Sequence, residues 1–115
     1  MLIRVDPTSE VPLFEQLAAS VRADVAAGRL TPGDRLPSAR EVAAALEVNL
    51  HTVLHAYQDL RGEGLIDLRR GRGAIITESA SALAALHEEI RTLVARARTL
   101  GISSDTLAAL VKEAS

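Results

Sequence analysis

The stretch VNLHTVLHAYQ, residues 48–58, has no Asp, Glu, Lys or Arg, in a chain with 15 acids and 13 Lys+Arg. At its front stand Asn49, His51 and Thr52, with His55 one helical turn beyond His51. Such side chains donate and accept hydrogen bonds without full charge, which suits base edges and phosphate oxygens, whereas acids at that place would repel phosphates. Arginines flank the stretch: Arg35 and Arg40 before it, and Arg69, Arg70 and Arg72 after it, the last three in the run LRRGRG with Gly71 and Gly73. A guanidinium fork matches guanine O6 and N7, and equally a phosphate. The formal net charge is −2, so a nucleic-acid partner requires positive charge concentrated locally, as this spacing provides.

Positioning these groups requires a particular order of elements. Phe14, Leu17, Val21 and Val25 recur at helical spacing after Pro12, with Gly28 as terminator. LTPGDRLP, residues 30–37, reads as a turn-rich loop. In SARE, Ser38 and Glu41 have capping-box spacing and open a short Ala-rich helix. Asn49 is an N-cap for the next helix, whose buried stripe is Val53, Ala56, Tyr57 and Leu60, with Gly64 at its end. LIDLRRGRGAIIT, residues 65–77, is two β-like runs around a glycine-bearing tip, a hairpin. MLIRVD at the N-terminus reads as a short strand. From Glu78 the composition turns to Ala, Leu and Glu. Leu83, Leu86, Ile90, Leu93, Ala97 and Leu100 then alternate spacings of three and four, an a/d seam. Gly101 ends that helix, and Ser103 or Ser104 caps a last one carrying Leu107, Leu110 and Val111.

The expected fold is therefore mainly α with a small β wing. A winged helix-turn-helix over residues 1–77 is followed by a two-helix dimerisation segment over residues 78–115. In such a fold the second helix of the pair reads a major groove with its first turn. A seam that finds a second copy gives the homodimer that a palindromic reader needs.

Composition narrows the alternatives. With 48% hydrophobic residues and 2% aromatic, the core must be aliphatic. The absence of Cys excludes disulfides, thiolate metal sites and thiol nucleophiles. No apolar run is long enough to span a membrane and the N-terminus does not read as a signal peptide, so a cytoplasmic protein with no membrane partner is expected. His51 and His55 share a helix face but lack a third ligand, which argues against zinc. Gly71 and Gly73 have no Gly-Lys-Ser/Thr after them and no phosphate-loop meaning. Neither a nucleophile–base pair nor a carboxylate pair stands out, so neither an enzyme nor a cofactor is expected. The competing function is a winged-helix protein-interaction module that never meets DNA. Against it stand the Arg-rich wing and the acid-free helix front, and salt-dependent retention on heparin or duplex DNA discriminates between the two.

Three blocks carry a family resemblance: GRLTPGDRLPSAREVA, VNLHTVLHAYQDL and GLIDLRRGRG. Together they resemble the N-terminal domain of GntR-type bacterial transcriptional regulators, and the short helical tail resembles the YtrA-type subgroup. The resemblance implies a two-fold dimer, acting as a repressor on an inverted-repeat operator of double-stranded DNA. It implies that Arg40 reads bases, that Asn49, His51 and Thr52 contact bases or phosphates, and that Arg70 and Gly71 approach the minor groove. Leu50 and Leu54 stand where many relatives have Arg, which removes two contacts that His55 replaces in part. The candidate DNA-contacting set is thus Arg35, Ser38, Arg40, Asn49, His51, Thr52, His55, Arg69, Arg70, Gly71 and Arg72. Any small-molecule effector would need a cleft at the dimer interface lined by Leu, Ile and Val.

Overall fold

The computed structural model describes residues 5–71 and 73–115 of the chain. Its elements run α1 (Leu13–Ala26), α2 (Ala39–Leu46), α3 (Leu50–Gly62), β1 (Ile66–Arg69), β2 (Gly73–Ile76), α4 (Ser79–Thr99) and α5 (Ser104–Ala114). This is the expected order of helices and hairpin. Contact density divides the chain into two compact units, Met1–Ala84 and Ala85–Ser115.

In the first unit, α1 starts at Pro12, which has no side chain able to cap it. Gln16 supplies the missing order. Its amide Nε2 donates to the carbonyls of Asp6 and Val11, and its Oε1 accepts from the Asp6 N–H. The lead-in chain is thereby tied to the helix. Val5 packs on the core outside any strand, and the rest of the expected N-terminal strand, Met1–Arg4, lies outside the described residues. At the other end of α1 the carboxylate of Asp24, a buried acid, accepts from Arg29 Nε at 2.7 Å.

Helices α2 and α3 form the helix-turn-helix. Ser38 Oγ accepts from the Glu41 N–H at 3.1 Å, and Asn49 Oδ1 accepts from the His51 N–H at 2.8 Å. Each cap satisfies one donor that a helix start leaves orphaned. Between the helices Glu47 takes a left-handed conformation, φ 56°. The turn then closes with the Val48 N–H donating to the Ala43 carbonyl. The predicted stripe is the buried one: Val53, Ala56, Tyr57 and Leu60 all face the core. There they meet Leu17, Val21 and Val25 of α1 and Ile76 of β2, in a mainly aliphatic core against which Phe14 also packs.

The wing is antiparallel, with Ile66 opposite Ile76 and Arg69 opposite Gly73. A third segment runs along β2. Arg35 bridges Ile75, the Leu36 N–H donates to the Ala74 carbonyl, and the Ile76 N–H donates to the Asp34 carbonyl. Thus the loop before α2 is stitched to the wing. Thr77 closes the base of the hairpin, its hydroxyl donating to the Gly64 carbonyl and its N–H to the Leu65 carbonyl.

In the tail, Ala80 is buried in the first unit's core and Leu83 is partly buried against it, so that unit runs on past residue 77 to Ala84. Leu83 is thereby partly committed to that core. Ala97 is itself buried within the chain, next to the turn where the Ile102 N–H donates back to its carbonyl. The remaining seam residues are open: Leu86 is 50% exposed, Ile90 45%, Leu93 47% and Leu100 66%. On α5, which Ser103 caps by accepting from the Thr106 N–H, Leu110 and Val111 are exposed as well.

Candidate nucleic-acid interface

The helical repeat of α3 turns its core stripe inward and leaves Asn49, His51, Leu54 and Gln58 exposed. Asn49 is partly committed: its oxygen holds the helix cap, which leaves the amide NH2 as the group able to reach outward. His51 is exposed in the first turn and Thr52 is half-buried beside it. The first turn also carries the positive end of the helix dipole, with the His51 and Thr52 N–H groups already bonded to Asn49. No acid lies in that turn.

His55 is partly packed. Its ring stacks on Phe14 of α1, centroids 3.7 Å apart and planes 11° from parallel, and its Nε2 lies 3.6 Å from Asp59 Oδ2. Spacing of four residues put His55 with His51, but the ring leans to the α1 side of α3, where an aromatic face was available. The stack joins α1 to α3, and the side chain stays about half exposed. No cluster of metal-ligating side chains is found among the described residues.

Arg40 projects from the exposed side of α2's first turn. Ser38, next to it, spends its hydroxyl on the cap. Arg35 is fixed through its backbone between α2 and the wing by the bridge to Ile75. At the wing, Arg69 Nε donates to Asp67 Oδ2 at 2.9 Å, so this guanidinium is partly neutralised within its own strand. Arg70 and Gly71 sit exposed at the tip, Gly71 at φ 78° and Gly73 at φ 73°, a backbone that only glycine adopts without strain. Arg72 lies outside the described residues.

Two hollows flank this surface. One, of about 730 Å³, is lined by Arg29, Arg35, Ser38, Glu41, Gly71 and Gly73 among others, and joins the loop before α2 to the wing tip. The second, of about 320 Å³, lies between α2, α3 and the wing and is lined chiefly by Ala39, Leu54, Tyr57, Leu68 and Ala74. Sequence reading did not find that apolar hollow, since its lining comes from three elements. Nor did it find the bond that shapes its wall, in which the Tyr57 hydroxyl donates to the Pro37 carbonyl at 2.6 Å. Burial, with Glu41 nearby, pushes the Tyr57 hydroxyl up to about 12, so it stays a donor throughout the working range.

Residues 13–76 match the profile described as bacterial regulatory proteins, gntR family. The chain is 34% identical to the HTH-type transcriptional repressor YtrA of Bacillus subtilis (strain 168), over 99% of this chain and 92% of that protein. Among solved structures it resembles YtrA from Sulfolobus acidocaldarius, a GntR-family transcription factor, with a TM-score of 0.63 and 33% identity over 86% of this chain and 99% of that one. It also resembles the DNA-binding domain of AraR, solved in complex with operator ORX1, with a TM-score of 0.57 and 25% identity over 64% of this chain and 92% of that one.

Proposed function

The chain belongs to the gntR family of bacterial regulatory proteins and is a DNA-binding transcriptional regulator, and from that premise we propose that it acts as a homodimeric repressor on an inverted-repeat operator in the cytoplasm. The observation that carries this reading is the opening turn of α3: capped by Asn49, free of acids, and flanked by the exposed Arg40 and Arg70. Seated in a major groove, this turn offers base edges the Asn49 amide and His51, with Thr52 at the phosphates, while Arg40 reads from the start of α2. Arg35 and the tip residues Arg70 and Gly71 reach the flanking backbone and the minor groove. That the similar AraR domain is solved in complex with an operator supports operator DNA as the partner.

Dimerisation rests on the exposed apolar residues Leu86, Ile90, Leu93 and Leu100 of α4. Burying one large aliphatic side chain is worth roughly 1.5–3 kcal/mol. Because each is about half exposed already, four from each copy contribute roughly 6–12 kcal/mol, comparable to an association cost of roughly 4–15 kcal/mol. Repression by occupancy of the operator follows the named role of the Bacillus relative.

Selection of bound duplexes from a random pool tests the reading. An enriched inverted repeat is expected. Enrichment of no sequence, with retention insensitive to salt, would contradict DNA recognition by α3 and favour a protein partner.

A further inference from the structure

Leu54 sits on the exposed side of the reading helix, one turn after Leu50, and is 37% exposed while its neighbour Val53 is fully buried. It lines the hollow of about 320 Å³ together with Ala39, Tyr57, Leu68 and Ala74, and with Arg69 and Arg70 of the wing. The polar groups nearby are already engaged. Tyr57 spends its hydroxyl on the Pro37 carbonyl, and Ser38 spends its oxygen on the Glu41 N–H. What remains is a carbon-lined recess beside a polar helix front, poorly equipped to read a base by hydrogen bonding. On the major-groove edges of the four standard base pairs the one apolar group is the C5-methyl of thymine. Arg70, exposed at the wing tip and part of the lining, supplies the complementary charge that draws a phosphate backbone, and so a base edge, over it.

We propose that Leu54 is a specificity-determining residue that reads the methyl group of one thymine in each half-site, using the recess between α2, α3 and the wing as its seat. This inference rests on the seating of α3 in a major groove proposed above. It assigns a reading role to a position that otherwise looks like a lost cation.

The test replaces thymine by deoxyuridine, which removes the methyl and keeps the base pair. In a duplex selected by the wild-type protein, each thymine is substituted in turn and affinity is measured by fluorescence anisotropy. One position per half-site is expected to lose about fourfold for the wild type, the value of burying one methyl-sized group. The same substitution is expected to cost nothing for Leu54→Ala, whose buried face is untouched and whose new residue favours the helix. Leu54→Arg, a second variant, should likewise lose sensitivity to the methyl. Sequence-specific binding in which no deoxyuridine matters, or in which Leu54→Ala and Leu54→Arg show the wild-type loss, overturns the assignment and leaves DNA recognition by α3 standing. Failure to select any duplex overturns both.

Discussion

Asn49 and Arg40 divide the work of the reading surface differently, and the difference sets what their removal should do. The oxygen of Asn49 is bonded to the His51 N–H, so replacing Asn49 would damage the helix start and binding together. Arg40 stands exposed on α2 and is the cleaner probe. Arg40→Ala is expected to lose roughly 1–3 kcal/mol of operator binding and to relax preference at one base pair per half-site. Equal loss on operator and random duplex would reduce Arg40 to a phosphate contact. At the wing, Arg69 is tied to Asp67 while Arg70 is exposed at the tip. Arg70→Ala should therefore lower the slope of log affinity against log salt by about one contact per chain, and Arg69→Ala by less. Equal slopes for Arg70→Ala and wild type would show the tip pointing away from the duplex. These contrasts were only partly legible in the sequence. Arg69, Arg70 and Arg72 read as one cluster, although Asp67, two residues before Arg69 on the same face of β1, pairs with it.

Among the elements, the turn between α2 and α3 carries a local strain. Glu47 is the one non-glycine residue with positive φ among the described residues. Such a residue costs roughly 1–2 kcal/mol relative to one at ease there. Glu47→Gly should raise the free energy of unfolding by up to about 1 kcal/mol, since glycine's greater unfolded-state entropy cancels part of the relief. An unchanged or lowered urea midpoint would show that Glu47 makes an offsetting contact. A second tie joins α1 to the end of α3, where Arg22 meets Glu63 with both nitrogens of its fork, at 2.8 and 2.6 Å. That bond holds the Glu63 carboxyl below the usual carboxylate range. The stability it adds is present above the unfolded-state value and is lost as pH falls through the folded one. Because both side chains are about 40% exposed, the pair is worth at most about 1 kcal/mol. Glu63→Gln should accordingly unfold slightly earlier than wild type at neutral pH, and the gap in urea midpoints should close under acid. A gap that persists with Glu63 protonated would assign the effect to packing. Helix order, both caps and the α3 stripe were legible because each rests on neighbours two to four residues apart. The α2 loop stitched along β2, the Phe14–His55 stack and the Arg22–Glu63 tie were not, because each joins residues that only the folded chain brings together.

For the whole molecule, the seam was legible as a periodic pattern, but its ownership was not. Periodicity treats Leu83 and Ala97 like Leu86, Ile90, Leu93 and Leu100, whereas the fold partly commits Leu83 to the first unit's core and buries Ala97 within the chain. The four that stay exposed are the ones a second copy can cover. Ile90 is central among them, and a carboxylate there would be buried unpaired across the proposed two-fold axis. Two copies on one duplex are what an inverted-repeat operator requires, so dimerisation and operator symmetry stand or fall together. The direct test is sedimentation equilibrium of wild type and Ile90→Glu, each alone and with the duplex selected by the wild type. The expected result is a wild-type dimer that binds as two chains per symmetric duplex, with Ile90→Glu a folded monomer that occupies a half-site weakly. An Ile90→Glu protein that remains dimeric with wild-type affinity, or a wild-type protein that binds as one chain on an asymmetric site, would contradict the account.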